Sequence, residues 1–138
     1  MGNKKRATTY PHVKDPNLVG TYPALVGFGG GLVWDDVLEY RVWCYPESGA
    51  PDLEEGNDYC YVFEICEEAI DFSATNKGTG TPLALIIQEE FIDEPESGKY
   101  VHVKDQRLTE WPIAYLGMPN RTGNTIPDFL AANAHSRG

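Results

Sequence analysis

Residues 34–45, WDDVLEYRVWCY, alternate between two faces: Leu38, Tyr40, Val42 and Cys44 on one, Glu39, Arg41, Trp43 and Tyr45 on the other. A repeat of two predicts a strand, here with one charge pair and two aromatics on its second face. Strand character resumes over 59–63, YCYVF. Ile65, Ala69 and Phe72 then recur at i, i+4 and i+7 while Glu67, Glu68 and Asp71 point away, which predicts an amphipathic helix over 65–76 laid on a sheet. Asn76-Lys77-Gly78 stops it, with Gly78 in the place of a C′ glycine. Residues 83–87, LALII, are apolar throughout, as expected of a strand covered on both faces. The stretch 59–87 therefore reads as a βαβ-like passage.

Beyond it, residues 88–92 continue the buried strand toward an edge, 94–98 (EPESG) form a turn, and 100–103 make a strand able to hairpin back. Residues 108–116 predict a further strand broken by Pro112, hence edge-like or bulged. Pro127 to Ala132 predicts a short closing helix with proline in its first turn. Residues 46–58 form an acidic loop punctuated by Gly49, Pro51 and Gly56. Residues 1–20, polar and proline-punctuated, read as an N-terminal extension, and 21–138 as one domain. The fold class expected is α+β: a mixed or mostly antiparallel sheet, one main helix and a short C-terminal one.

Length agrees, since 138 residues suit one domain able to bury its core without staples. No apolar run approaches the roughly 20 residues of a bilayer span, and MGNKKRATTY has no apolar stretch behind its basic residues as a secretory signal requires. A cytoplasmic location is expected. Cys44, Cys60 and Cys66 are odd in number and lack a CxxC pair, and none of His12, His102 and His135 stands at finger-like spacing, so free buried thiols and no metal site are expected.

Charge narrows the partners. The formal net charge is −10, and no Lys or Arg interrupts residues 42–76. Glu47, Asp52, Glu54, Glu55, Asp58, Glu64, Glu67, Glu68 and Asp71 all fall there. A field of this sign repels phosphate backbones and argues against nucleic acid. It reads as a solvated face, or as a surface that docks a basic protein partner.

Candidate chemistry is sparse. Gly27-Phe28-Gly29-Gly30-Gly31 has the freedom to bring backbone close to a phosphate, but it lacks the lysine and hydroxyl of a P-loop and opens no helix; a turn before the strand is the other reading. Arg41 between aromatics suits an anionic ligand or a stacked base, or else a surface contact with Glu39. Glu110 in RLTEWP, beside Trp111, is a candidate acid–base if desolvated and otherwise a solvent-facing strand residue. Glu89 and Glu90 are adjacent and point to opposite faces, so they form no dyad; His102 reads as packing, and no GxSxG is present.

The order of these features resembles the ADP-ribosyltransferase-like fold: an early-strand Arg, an aromatic strand entering a helix, and a late-strand Glu. That resemblance spans about residues 36–116 and implies that Arg41, Tyr61 and Phe63 bind NAD and that Glu110 is catalytic, orienting the ribose hydroxyl as charge develops at the anomeric carbon. The late strand lacks the paired ExE of arginine-modifying members. Separately, VLEYRVWCYPESGAPD with RLTEWPIAYL is similar to small bacterial proteins labelled GNAT-family acetyltransferases, which implies acetyl-CoA as cofactor. The [QR]xxGx[GA] turn of that family is missing, since Glu89-Glu90-Phe91 follows LALIIQ. Three functions follow: an NAD-handling transferase, an acyl transferase, and a non-catalytic acidic interaction module.

Overall fold

The computed structural model describes residues 10–30 and 32–134. Most of the basic N-terminal segment, Gly31 of the glycine run and His135 lie outside them. In chain order the strands are β1 (Gly27–Phe28), β2 (Asp36–Cys44), β3 (Tyr59–Phe63), β4 (Leu83–Gln88), β5 (Phe91–Glu96), β6 (Lys99–Val103) and β7 (Arg107–Pro112). The helices are α1 (Cys66–Thr75) and α2 (Thr125–Asn133). Five strands form a mixed sheet in the order β1-β7-β4-β2-β3, and β5 and β6 form a separate hairpin. This is an α+β domain. Because β2 lies antiparallel between β3 and β4, the β3–α1–β4 passage is a split βαβ unit with a strand inserted.

One sheet face carries the main core. Tyr40 and Val42 of β2, Ala84 and Ile86 of β4 and Trp111 of β7 pack there with Cys66 and Ala69 of α1. The opposite face holds Leu38, Leu85 and Ile87 under Tyr22 and Val26 of the 20–26 loop. Leu38 is here a correction to simple alternation: the register slips between Val37 and Glu39, and this bulge puts Leu38 on the second face. A third cluster, Val33, Ile92 and Ile126, joins the hairpin to α2.

Other local expectations shift for physical reasons. Helix α1 starts at Cys66, so Ile65 is an extended N-cap residue and is half exposed, while Cys66 turns inward in its place. Pro112 ends β7 rather than breaking it: the chain enters a 3-10 turn at Ile113–Gly117, and β7 lies inside the sheet because the two residues of β1 pair parallel to it. Strand β4 stops at Gln88, and Glu89-Glu90 turns the chain into the hairpin. The β5 strand runs to Glu96, leaving Ser97-Gly98 as the turn. From Tyr10 onward the N-terminal segment lies on the core: Val13 bridges Val37, and the Tyr40 hydroxyl donates to the Pro11 carbonyl.

Candidate functional site

Alternation sends Glu39, Arg41 and Trp43 of β2 to the face away from α1, and the β4–β7 register places Glu110 on that same face opposite Leu85. From β2 to β7 is two strand spacings, about 10 Å, which a long arginine and a glutamate close across the apolar β4. Arg41 Nη1 meets Glu110 Oε2 at 2.9 Å, and Arg41 Nε meets Glu39 Oε2 at 2.7 Å. Trp43 Nε1 donates to the same Glu110 oxygen at 2.8 Å. Arg41 is 0% exposed, Glu39 1% and Glu110 8%.

The 20–26 loop closes over this cluster with its backbone. Pro23 O and Ala24 O accept from Arg41 Nη2 and Nη1 at 2.6 and 2.9 Å, and the Gly20 N–H donates to Glu39 Oε1 at 2.8 Å. Four of the five N–H groups of the guanidinium are thus committed to the protein itself. Arg41 is therefore a tether between loop and sheet, with two buried carboxylates repaying its desolvation. Glu110 Oε1 is left without a hydrogen bond among the described residues, at the least buried corner of the cluster.

Of the residues expected to form one cleft, Arg41 and Glu110 come together; Tyr61 and Phe63 do not. Tyr61 pairs with Val42 and Phe63 with Tyr40, so both lie on the α1 face. There their rings contact Phe72 with centroids 4.9 and 5.6 Å apart. Tyr61 also borders a small cavity of about 70 Å³ with Cys44, Pro51, Tyr59, Phe72 and Lys77. A larger hollow of about 400 Å³ lies between the hairpin and the end of α2, away from the Arg41 cluster.

The thiols are poor nucleophiles. Burial pushes Cys66 up to about 12 and raises Cys44 and Cys60, so each is protonated at neutral pH. His102 pairs with Glu90, which also meets Arg121 at 3.4 Å; Arg121 is held by Asp35 at 2.8 Å. That chain of polar contacts joins the hairpin to the loop before α2, with Asp35 also accepting from the Glu89 N–H. Among the described residues no group of three His, Cys, Asp or Glu is placed to hold a metal, and no helix is long and apolar enough to cross a membrane. The continuous β4–β7 register, Leu83 to Gln88 against Pro112 to Arg107, has no splayed pair to admit a pantetheine arm.

The remaining feature is the acidic surface. All nine carboxylates from Glu47 to Asp71 named above are exposed, and none is in an ion pair with a described residue. They surround β3, an edge strand paired only to β2, and the outer side of α1. Sequence reading missed the Trp43–Glu110 bond and the Arg107 Nε–Gln88 Oε1 bond; the first spans 67 residues, and no local pattern signals it. No family model, curated protein or solved structure matches the chain.

Proposed function

We propose that the domain is a non-catalytic interaction module that presents its acidic 47–71 surface to a basic protein partner. The observation that carries this reading is the uniform exposure, around an open strand edge, of nine carboxylates that have no ion pair among the described residues. Internally neutralised acids would contribute only to folding; these are left to act on whatever approaches. Association driven by them is fast, selective for cations and weakened by salt beyond a Debye length of about 8 Å at physiological strength. Its compartment is read as the cytoplasm, in keeping with three free cysteines.

The test is titration of the protein with a lysine-rich peptide, comparing two sets of four substitutions. One set changes Glu54, Glu55, Glu67 and Glu68 to Gln; the other neutralises the exposed Asp93, Glu94, Glu96 and Asp105. The first set is expected to abolish saturable binding and its salt dependence, and the second to leave both in place. Equal losses from the two sets would reduce the effect to net charge and end the proposal.

A second reading, an NAD-handling transferase, is favoured by one observation: Arg41 and Glu110 meet at 2.9 Å, and one oxygen of Glu110 has no hydrogen bond among the described residues. It asks Glu110 alone to engage a ribose hydroxyl, because Arg41 is committed to the protein. Thermal unfolding with NAD and with acetyl-CoA separates the readings; the transferase requires a rise with NAD that Glu110→Gln removes, and acyl transfer a rise with acetyl-CoA alone.

A further inference from the structure

Three arginines fall within the described residues, and they are not treated alike. Arg41 and Arg121 are each paired with two carboxylates. Arg107, in a chain of net charge −10, is bridged to none among the described residues. It is held in place by neutral groups instead. Its Nε donates to Gln88 Oε1 at 2.8 Å, and its guanidinium carbon lies 3.7 Å from the centre of the Phe91 ring. Gln88 is 0% exposed and cannot turn, because its Nε2 donates to Gly30 O at 3.1 Å and Val33 O at 2.6 Å.

The side chain is thereby fixed with its Nη2 beside the glycine run. A Cβ built on Gly30 would stand 3.3 Å from Nη2, closer than ordinary van der Waals contact, so a side chain there would crowd the fork. Gly29 and Gly30 both have positive φ, 62° and 94°. Neither Nη of Arg107 nor the Gly30 N–H has a hydrogen-bond partner among the described residues. Arg107 is half-buried, which costs solvation, and Asp93, whose charge favours the guanidinium, makes no bridge to it. A planar fork held rigid, partly desolvated and left unpaired next to a flexible-geometry turn is the arrangement that binds an oxyanion.

We propose that Arg107, braced by Gln88 and Phe91, and the Gly29–Gly30 turn form a binding site for a phosphate group, free or carried on a small molecule. The acidic surface does not forbid it. Arg107 is on β7 and β3 is three strands away, about 14 Å at ~4.8 Å per spacing. It also sits at the opposite end of the strands, since Arg107 pairs with Gln88 while the acidic loop leaves from Cys44. Both separations exceed the Debye length of about 8 Å at physiological ionic strength.

The experiment is nitrogen-15 NMR titration of the full chain with inorganic phosphate, adenosine monophosphate and acetate in a phosphate-free buffer. Saturable shifts are expected at the Arg107 Nε–H and the Gly30 amide, with half-saturation at about 1 mM or tighter, stronger for phosphate than for acetate. Adenosine monophosphate binding more tightly than phosphate would assign the group to a nucleotide, and equal binding would assign it to phosphate alone. Arg107→Gln is expected to abolish the shifts and Arg107→Lys to weaken them, since a point charge loses the fork. Lys99→Gln, an exposed cation elsewhere, serves as control. Shifts that survive Arg107→Gln, that do not saturate, or that favour acetate would overturn the site. Should Arg107→Gln lose its dispersed spectrum, Gly30→Ala, which crowds Nη2, gives the same test: unchanged phosphate binding in it refutes the proposal.

Discussion

Arg41→Met separates the tether from the ligand-holding arginine. The substitution keeps most of the aliphatic volume but leaves Glu39, 1% exposed, with only the Gly20 N–H, and Glu110 with only Trp43. Removing one partner of a buried pair costs about 3–5 kcal/mol, because the remaining charge stays desolvated. The carbonyls of Pro23 and Ala24 lose their donor as well, though residues 23–25 are exposed and water can replace it. Against a total stability of roughly 5–15 kcal/mol this is a large fraction. At roughly 3–4 °C per kcal/mol for a chain of this size, Tm is expected to fall by about 10–20 °C. Urea unfolding gives the loss from the midpoint at constant slope, and amide exchange at Gly20 reports whether the loop is released. Adding Glu39→Gln and Glu110→Gln to Arg41→Met is expected to recover about 1–2 kcal/mol, since the stranded charges are then gone. A loss below about 1 kcal/mol with an unchanged slope would mean that the guanidinium is solvated. The cluster would then be an open site, and Arg41 would again be a ligand-binding candidate.

Gly78→Ala is expected to destabilise by more than about 2 kcal/mol, whereas Gly56→Ala costs about 1: both have positive φ, 80° and 88°, but a Cβ at Gly78 would stand 2.1 Å from the Ala50 backbone nitrogen and one at Gly56 meets nothing within 4 Å. Thermal unfolding of the two variants side by side checks this. Cys66 gives a pH signature: its thiol is raised from 9.0 to about 12, so the unfolded chain loses that proton first, and stability is complete below pH 9 and lost as pH rises from there toward 12. Cys66→Ala is expected to flatten the alkaline fall by up to about 1.4 kcal/mol per pH unit around pH 10–11, midway between the two values, measured by urea midpoints. Tyr61→Ala is expected to cost about 1 kcal/mol of aromatic packing on Phe72 and to leave any thermal response to NAD unaltered; a lost response would return Tyr61 to the ligand site.

What could be read from the sequence was what repeats. The two-fold alternation of β2, the outward acids of α1 and the unbroken apolar run of β4 each announce one face or two, and the structure puts them there. Leu38 was not legible, because a bulge adds one residue to a strand without altering its composition. Pro112 misled because β7 is kept from the sheet edge by the two residues of β1, too short to have a pattern. The candidate site was harder for a related reason. Glu39 and Arg41 on one face of a strand look the same whether that face is covered by solvent, by a ligand or by the chain. Here the chain covers it, through residues 20–26, which have no periodicity and act through backbone atoms, Gly20 N, Pro23 O and Ala24 O. A backbone carbonyl has no residue identity, so the sequence holds no mark of the contacts that turn a would-be binding arginine into a tether. Arg107 presents the converse case. In RLTEWP it is an ordinary strand cation, and only the placement of Gln88, Phe91 and Gly30 around it shows that its fork is oriented and, among the described residues, without an ion pair. Residue type therefore did not tell these two arginines apart; the number of their N–H groups already used inside the fold does.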